Sequence, residues 1–185
     1  MTFNKPDKVI CNDDVFKPFI SQGRIEQRIA EIGEEIDEKF KDKKPIFIGV
    51  LNGAFIFMAD LMRHVTIPCE ADFLKLSSYG DAKVSSGQVT QRKGIDAKID
   101  SRHVILVEDI VDTGLSMKYL VDNLMQKNPA SVSTVTLLHK KEATRHDVQL
   151  DFVGFEIPDR FVLGYGLDYA QEGRNLAQIY ILDED

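Results

Sequence analysis

Three carboxylates, two hydroxyls and one glycine follow an apolar run within one short stretch, residues 104–117. Val104, Ile105, Leu106 and Val107 lead into Glu108 and Asp109, then Ile110 and Val111, then Asp112, Thr113, Gly114, Leu115 and Ser116. Residues 113–116 can turn successive backbone N–H groups toward a helix N-terminus, where unpaired amides and the helix dipole favour a phosphate. Gly114 permits a close approach, and Thr113 and Ser116 add hydroxyl donors. Glu108 and Asp109, read as the end of a strand, can accept hydrogen bonds from a vicinal diol or hold a magnesium ion as hard oxygen ligands. Asp112 is left to take a proton. The bland alternative is that such acids only solvate a strand end and such hydroxyls only cap a helix. Against it, the carboxylates mark the end of the apolar run, the glycine and hydroxyls follow at once, and a periodic helix begins on cue.

The elements that must hold this stretch are legible in the hydrophobic pattern. Apolar residues at Ile25, Ile29, Ile32, Ile36 and Phe40 have the spacing of a helix with one buried stripe, over residues 24–40. Residues 46–51 form a near-continuous apolar run, the mark of a strand covered on both faces. Asn52 and Gly53 turn the chain, and Phe57, Met58, Leu61 and Met62 predict a helix over residues 54–64. Residues 71–76 read as a strand and residues 77–91, polar with Gly80 and Gly87, as a mobile loop. Residues 103–107 are the most hydrophobic strand, and Met117, Leu120, Val121, Leu124 and Met125 predict the helix after it. Residues 132–138, 152–157, 161–164 and 178–182 add short strands. Strands alternating with amphipathic helices imply an α/β fold, a mainly parallel twisted sheet flanked by helices, with ligands beyond the carboxyl ends of the strands.

The length of 185 residues, 43% hydrophobic and 29% charged, fits one domain over residues 1–185 with an ordinary core. The net charge of −7 argues against broad binding to nucleic acid or anionic membranes, though small anionic ligands remain compatible with it. Cys11 and Cys69 share no motif and read as ordinary thiols. No signal-like start or long apolar run is present, so a soluble cytoplasmic protein is expected. There is no GxxxxGK[ST] loop, no full dinucleotide fingerprint and no Asp-x-Asp phosphatase motif. A nucleoside monophosphate-like ligand suits the inventory best.

Residues 104–117 resemble the phosphoribosyl-pyrophosphate signature of type I phosphoribosyltransferases: four apolar residues, two acids, two apolar residues, then Asp-Thr-Gly and a hydroxyl. Residues 49–54, 76–79 and 138–141 and the block 151–169 are similar to the hypoxanthine-guanine branch, so that the resemblance spans residues 8–183. It implies the type I fold with a small hood from the chain ends. It also implies purine salvage, with magnesium-dependent transfer of the 5-phosphoribosyl group from phosphoribosyl pyrophosphate to hypoxanthine or guanine. Members commonly form dimers or tetramers. Carried onto this chain, the pattern makes Leu51, Asn52 and Gly53 the pyrophosphate turn, with a cis non-proline peptide, and puts Ser78 and Tyr79 on a closing lid. Glu108 and Asp109 would hold the ribose hydroxyls and magnesium, Asp112 would face purine N7, and Thr113, Gly114, Leu115 and Ser116 would hold the 5′-phosphate. Lys140 would donate to the 6-oxo group, Phe161 would stack on the base, and Val162 would contact it through its backbone. Asp168, on the purine side, would bind a second magnesium, and Arg174 would reach the pyrophosphate. Vertebrate members tend to carry lysine where this chain has Asn52 and Leu115. Alternatives are a xanthine preference, or an RNA-binding regulator on the same fold. Taken alone, Phe161 could be core, Asp168 a turn cap, and Lys140 beside Lys141 a solvated pair.

Overall fold

The computed structural model describes residues 5–78 and 89–184, with the side chains of residues 77, 78 and 89–92 outside that description. In chain order its elements are β1 (Val9–Cys11), β2 (Asp14–Ile20), α1 (Gln22–Lys39), β3 (Ile46–Leu51), α2 (Phe55–His64), β4 (Glu70–Ser78) and β5 (Val89–Lys93), followed by β6 (His103–Val111), α3 (Leu115–Met125), β7 (Ser131–His139), β8 (Phe152–Glu156), β9 (Val162–Leu163) and β10 (Ile179–Leu182). One sheet has the order β5-β4-β3-β6-β7-β8. All its pairings are parallel except β4 with β5. The second sheet, β1-β2-β10-β9, is antiparallel and draws on both ends of the chain, as the expected hood does.

Burial follows the period-two alternation of strands covered on both faces. Ile46, Ile48, Val104 and Leu106 pack with Met117, Leu120 and Leu124 of α3. Phe47, Ile105 and Val107 face the other way, into a core with Ile25, Ile29 and Ile32 of α1 and Phe57, Met58 and Leu61 of α2.

The structure departs from the sequence reading in three places. The strand expected over residues 103–107 continues to Val111, so Glu108 and Asp109 lie within β6 and not after it. Inside it the alternation inverts: Ile110 packs with the α1 and α2 core and Val111 with the α3 core. Residues 77, 78 and 89–91, read as loop, belong to the paired strands β4 and β5. The rest of that loop, Tyr79 included, lies outside the described residues. β1 and β2 have no counterpart in the pattern reading, because Lys17 and Pro18 interrupt the apolar residues of β2. Pro18 is tolerated there because the β2–β10 register shifts at Ile179 and Tyr180, its partner.

Candidate active site

The carboxyl end of β3 turns through Leu51, Asn52 and Gly53, with a cis peptide between Leu51 and Asn52. This turn sits directly on β6. A Cβ built on Gly53 would fall 1.5 Å from Asp109 Oδ2 and 2.3 Å from Asp109 Cγ, so only glycine lets the backbone lie against that carboxyl. Gly166 packs in turn against the Gly53 carbonyl, where its own Cβ would come within 2.3 Å. Tyr165 anchors that segment, its hydroxyl donating to Asp60 of α2 at 2.5 Å. From the same loop Arg174 makes an ion pair with Asp168 at 2.6 Å and donates to the Gly166 carbonyl at 2.7 Å. Asp168 also accepts from the Gln171 N–H at 2.8 Å, so it does cap a turn as well.

The two β6 acids are electrostatically costly. Burial pushes the Asp109 carboxyl up to about 6, against the opposing pull of its hydrogen bonds to the Ile110 and Asp109 amides and of Arg174. Burial, and then the neighbouring Asp109, pushes Glu108 well above the usual carboxylate range. Among the described residues Glu108 Oε2 is buried without a hydrogen-bond partner. Buried carboxylates of this kind call for a cation or donors from a ligand. Glu108 lines a cavity of about 90 Å³ with Asp112, Thr113, Gly114, Leu115 and Ser116.

That cavity is the mouth of α3. Its N-cap is Gly114, at φ +83°, with no side-chain cap. Among the described residues, the Thr113 hydroxyl accepts one long bond, from the Leu115 N–H at 3.4 Å. A turn after β7 fixes the loop: the Arg145 and His146 N–H groups donate to the Thr113 carbonyl at 3.0 and 3.1 Å. Thr144 Oγ1 lies 2.9 Å from the Asp112 carbonyl and 3.0 Å from that of Lys140.

Lys140 begins that turn, its N–H donating to the Val111 carbonyl at 2.9 Å. Its side chain is 10% exposed, and its ammonium lies between Asp112 Oδ2 at 3.4 Å and Asp159 Oδ1 at 3.2 Å. It is not a solvated partner of Lys141, which pairs with Glu156. Phe161 is 42% exposed, hence not core. Its ring leans on Tyr169 with centroids 4.9 Å apart, and Phe16 stands behind at 6.1 Å. Val162 is buried at the start of β9. Ser78 ends β4, its side chain outside the described residues, as is Tyr79.

Sequence reasoning missed three contributors: Asp159 beside Lys140, Thr144 between the two backbones, and Lys75 of β4, whose ammonium reaches Asn52 Oδ1 at 3.2 Å. Asp159 carried a signal, since a lysine meant to be buried needs an anion. The other two had none, because they act through register and turn geometry.

A family model described as the phosphoribosyl transferase domain matches residues 20–170. The chain is 44% identical over 169 residues to a hypoxanthine-guanine phosphoribosyltransferase of Bacillus subtilis, an alignment covering 91% of this chain and 94% of that one. It resembles the crystal structure of a hypoxanthine-guanine phosphoribosyltransferase from Bacillus anthracis with a TM-score of 0.86 and 37% identity, over 90% of this chain and 98% of that one. It also resembles the Trypanosoma cruzi hypoxanthine phosphoribosyltransferase in complex with the product IMP, with a TM-score of 0.84 and 37% identity, over 90% and 94% of the two chains. The chain belongs to the phosphoribosyl transferase domain family, among its hypoxanthine-guanine phosphoribosyltransferases.

Proposed function

We propose that this chain joins hypoxanthine or guanine to the 5-phosphoribosyl group of phosphoribosyl pyrophosphate, giving IMP or GMP and pyrophosphate in purine salvage. The observation that carries this reading is the 3.4 Å contact between Asp112 and the buried Lys140 at the mouth of α3. One group can take a proton and the other can only give hydrogen bonds, and Asp112 lines the cavity at the N-terminus of α3.

In the reaction the bond from C1′ to pyrophosphate breaks, the bond from C1′ to purine N9 forms, and the purine loses a proton. Asp112 would accept that proton at N7. Lys140 would donate to the 6-oxo oxygen, while Phe161 and the Val162 backbone hold the ring. Thr113, Gly114, Leu115 and Ser116 would grip the 5′-phosphate, and Leu51, Asn52, Gly53 and Arg174 the pyrophosphate, the charge on which grows as it departs. Arg174 would have to leave Asp168 to do so.

Magnesium fits the donor set. Among the described residues no group of three or more His, Cys, Asp or Glu side chains is arranged to hold a metal alone. Magnesium, however, is commonly held by one or two carboxylates plus phosphate oxygens and water. The unpartnered Glu108 Oε2, the strained ionisation of Asp109, and Asp168 suit that role. When bound, the ion would neutralise negative charge on the pyrophosphate.

The test is steady-state kinetics with hypoxanthine, guanine, xanthine and adenine at saturating donor and magnesium, on the parent and on Lys140→Met. A lysine meets only another donor in the 6-amino group, so adenine should be rejected. A charge-assisted hydrogen bond is worth about 1.5–3 kcal/mol, so kcat/KM for hypoxanthine should fall roughly ten- to a hundredfold in the mutant. The hypoxanthine-to-adenine ratio should fall with it. Equal losses for both purines, or a defect mainly in donor binding, would move Lys140 to the phosphate site.

A further inference from the structure

We infer that Lys75, on β4, is a binding residue for the pyrophosphate group of the donor, reaching it from beside the Leu51–Gly53 turn; this rests on the donor-site reading above. The parallel register pairs Leu51 with Lys75, so the lysine stands beside the turn at the carboxyl end of the sheet. Its Nζ lies 3.2 Å from Asn52 Oδ1, within the turn itself.

A charge inventory singles it out. Among the described residues the site holds five carboxylates, Glu108, Asp109, Asp112, Asp159 and Asp168, and a polyanionic ligand must enter among them. The other cations there already have anionic partners. Arg174 is paired with Asp168 at 2.6 Å. Lys140 lies between Asp112 and Asp159. Lys93, the partner of Lys75 across the β4–β5 pairing, is held by Asp72 and Asp96, each at 3.5 Å. Among the described residues the Lys75 ammonium meets no carboxylate, only a neutral amide oxygen. An ammonium has three donors, so two remain for phosphate oxygens without breaking that bond. Asn52 then acts as a rest that keeps a long, flexible side chain over the turn, lowering the ordering cost when the ligand arrives.

The experiment is calorimetric titration of the full chain with pyrophosphate in magnesium and, separately, with IMP, which lacks the pyrophosphate group. Parent, Lys75→Met, Lys75→Gln and Lys75→Arg are compared, with the thermal midpoint as folding control and the donor KM as second readout. Loss of a charge-assisted contact predicts a ten- to hundredfold weaker pyrophosphate affinity in the Met and Gln variants. The donor KM should rise in parallel, IMP affinity and hypoxanthine KM should hold, and Lys75→Arg should stay within about threefold of the parent. Unchanged pyrophosphate affinity in folded Met and Gln variants would overturn the assignment, as would an equal weakening of IMP. A parent chain that bound IMP but not pyrophosphate would remove the donor-site reading itself, and Lys75 with it.

Discussion

Replacing Gly53 with alanine is the smallest change that tests how the donor site is built. The new Cβ would start 1.5 Å from Asp109 Oδ2 and 3.0 Å from Oδ1, and real Cβ atoms do not approach other atoms within 3.0 Å. The carboxyl must therefore retreat by at least the difference, about 1.5 Å, or the turn must lift off β6. Retreat of the carboxyl disturbs the hydrogen bond from the Ile110 N–H to Asp109 Oδ1, now 2.9 Å long, and lifting the turn moves its donor-facing backbone away from the site. Overpacking of this kind typically costs about 1–3 kcal/mol, and loss of a hydrogen bond to a charged group about 1.5–3 kcal/mol. The two overlap, since one rotation relieves the first by sacrificing the second. A donor-site penalty near 2–3 kcal/mol corresponds to a donor KM raised roughly thirty- to a hundredfold. The assay is the KM for phosphoribosyl pyrophosphate at saturating hypoxanthine, with inhibition by pyrophosphate alongside and the KM for hypoxanthine as the parameter that should not move. Gly23→Ala is the matched control, because Gly23 lies in α1 with nothing within 4 Å of an added Cβ. It should leave all kinetic parameters alone and raise stability slightly. A Gly53→Ala enzyme whose donor KM stayed within threefold of the parent would refute the reasoning, since the Asp109 carboxyl would then have been free to move.

Asp112→Asn keeps size and polarity but cannot take a proton, so turnover should fall by about 10²–10⁴ while donor KM stays close to the parent's; near-normal turnover would exclude a general base at this position. Asp109 gives a prediction for stability against pH. Its folded value of about 6 stands above its ordinary 3.8, so the folded state holds the proton more tightly and stability is lost as pH rises through that window. In the presence of a chelator, the difference in denaturant stability between Asp109→Asn and the parent should therefore grow from about pH 4 to above 6, toward about 3 kcal/mol, then level off. A difference that stayed flat with pH would show that burial does not strain this carboxylate.

The sheet was legible because its strands are covered on both faces and so read as short apolar runs; residues 46–51 could be bounded to the residue. The hood was legible only in part. Residues 161–164 and 178–182 read as the short strands that became β9 and β10, whereas β2, with Lys17 and Pro18 in its middle, did not. That these strands join in a hood was an expectation of the family resemblance alone. At the site, residue types and spacing pointed to residues 108–116, and the missing side-chain cap at Gly114 agrees with a phosphate cradle there. The continuation of β6 through its acids escaped notice, because a carboxylate inside a strand is so costly that sequence reasoning stops the strand before it. Lys75 and Asp159 escaped for another reason. Their partners lie 23 and 19 residues away: nothing marks the Lys75 pairing, and for Asp159 the one signal was the need of a buried lysine for an anion.

The antiparallel sheet also bears on when this molecule becomes active during its own synthesis. β10 lies between β2 and β9 and pairs with both. Among the described residues β9 pairs with no other strand, and Phe161 immediately precedes it. On a ribosome the parallel strands from β3 to β8 can pair as they emerge, since N-terminal segments fold first. β2, made before any of them, must wait for residues 179–182, more than 150 positions later. Until then the strip of chain proposed to grip the purine lacks its paired strand, though Phe161 can still lean on Phe16 and Tyr169. A nascent chain stalled short of β10 would therefore hold the residues of the proposed phosphate cradle while β9, beside the proposed purine wall, still lacked its paired strand.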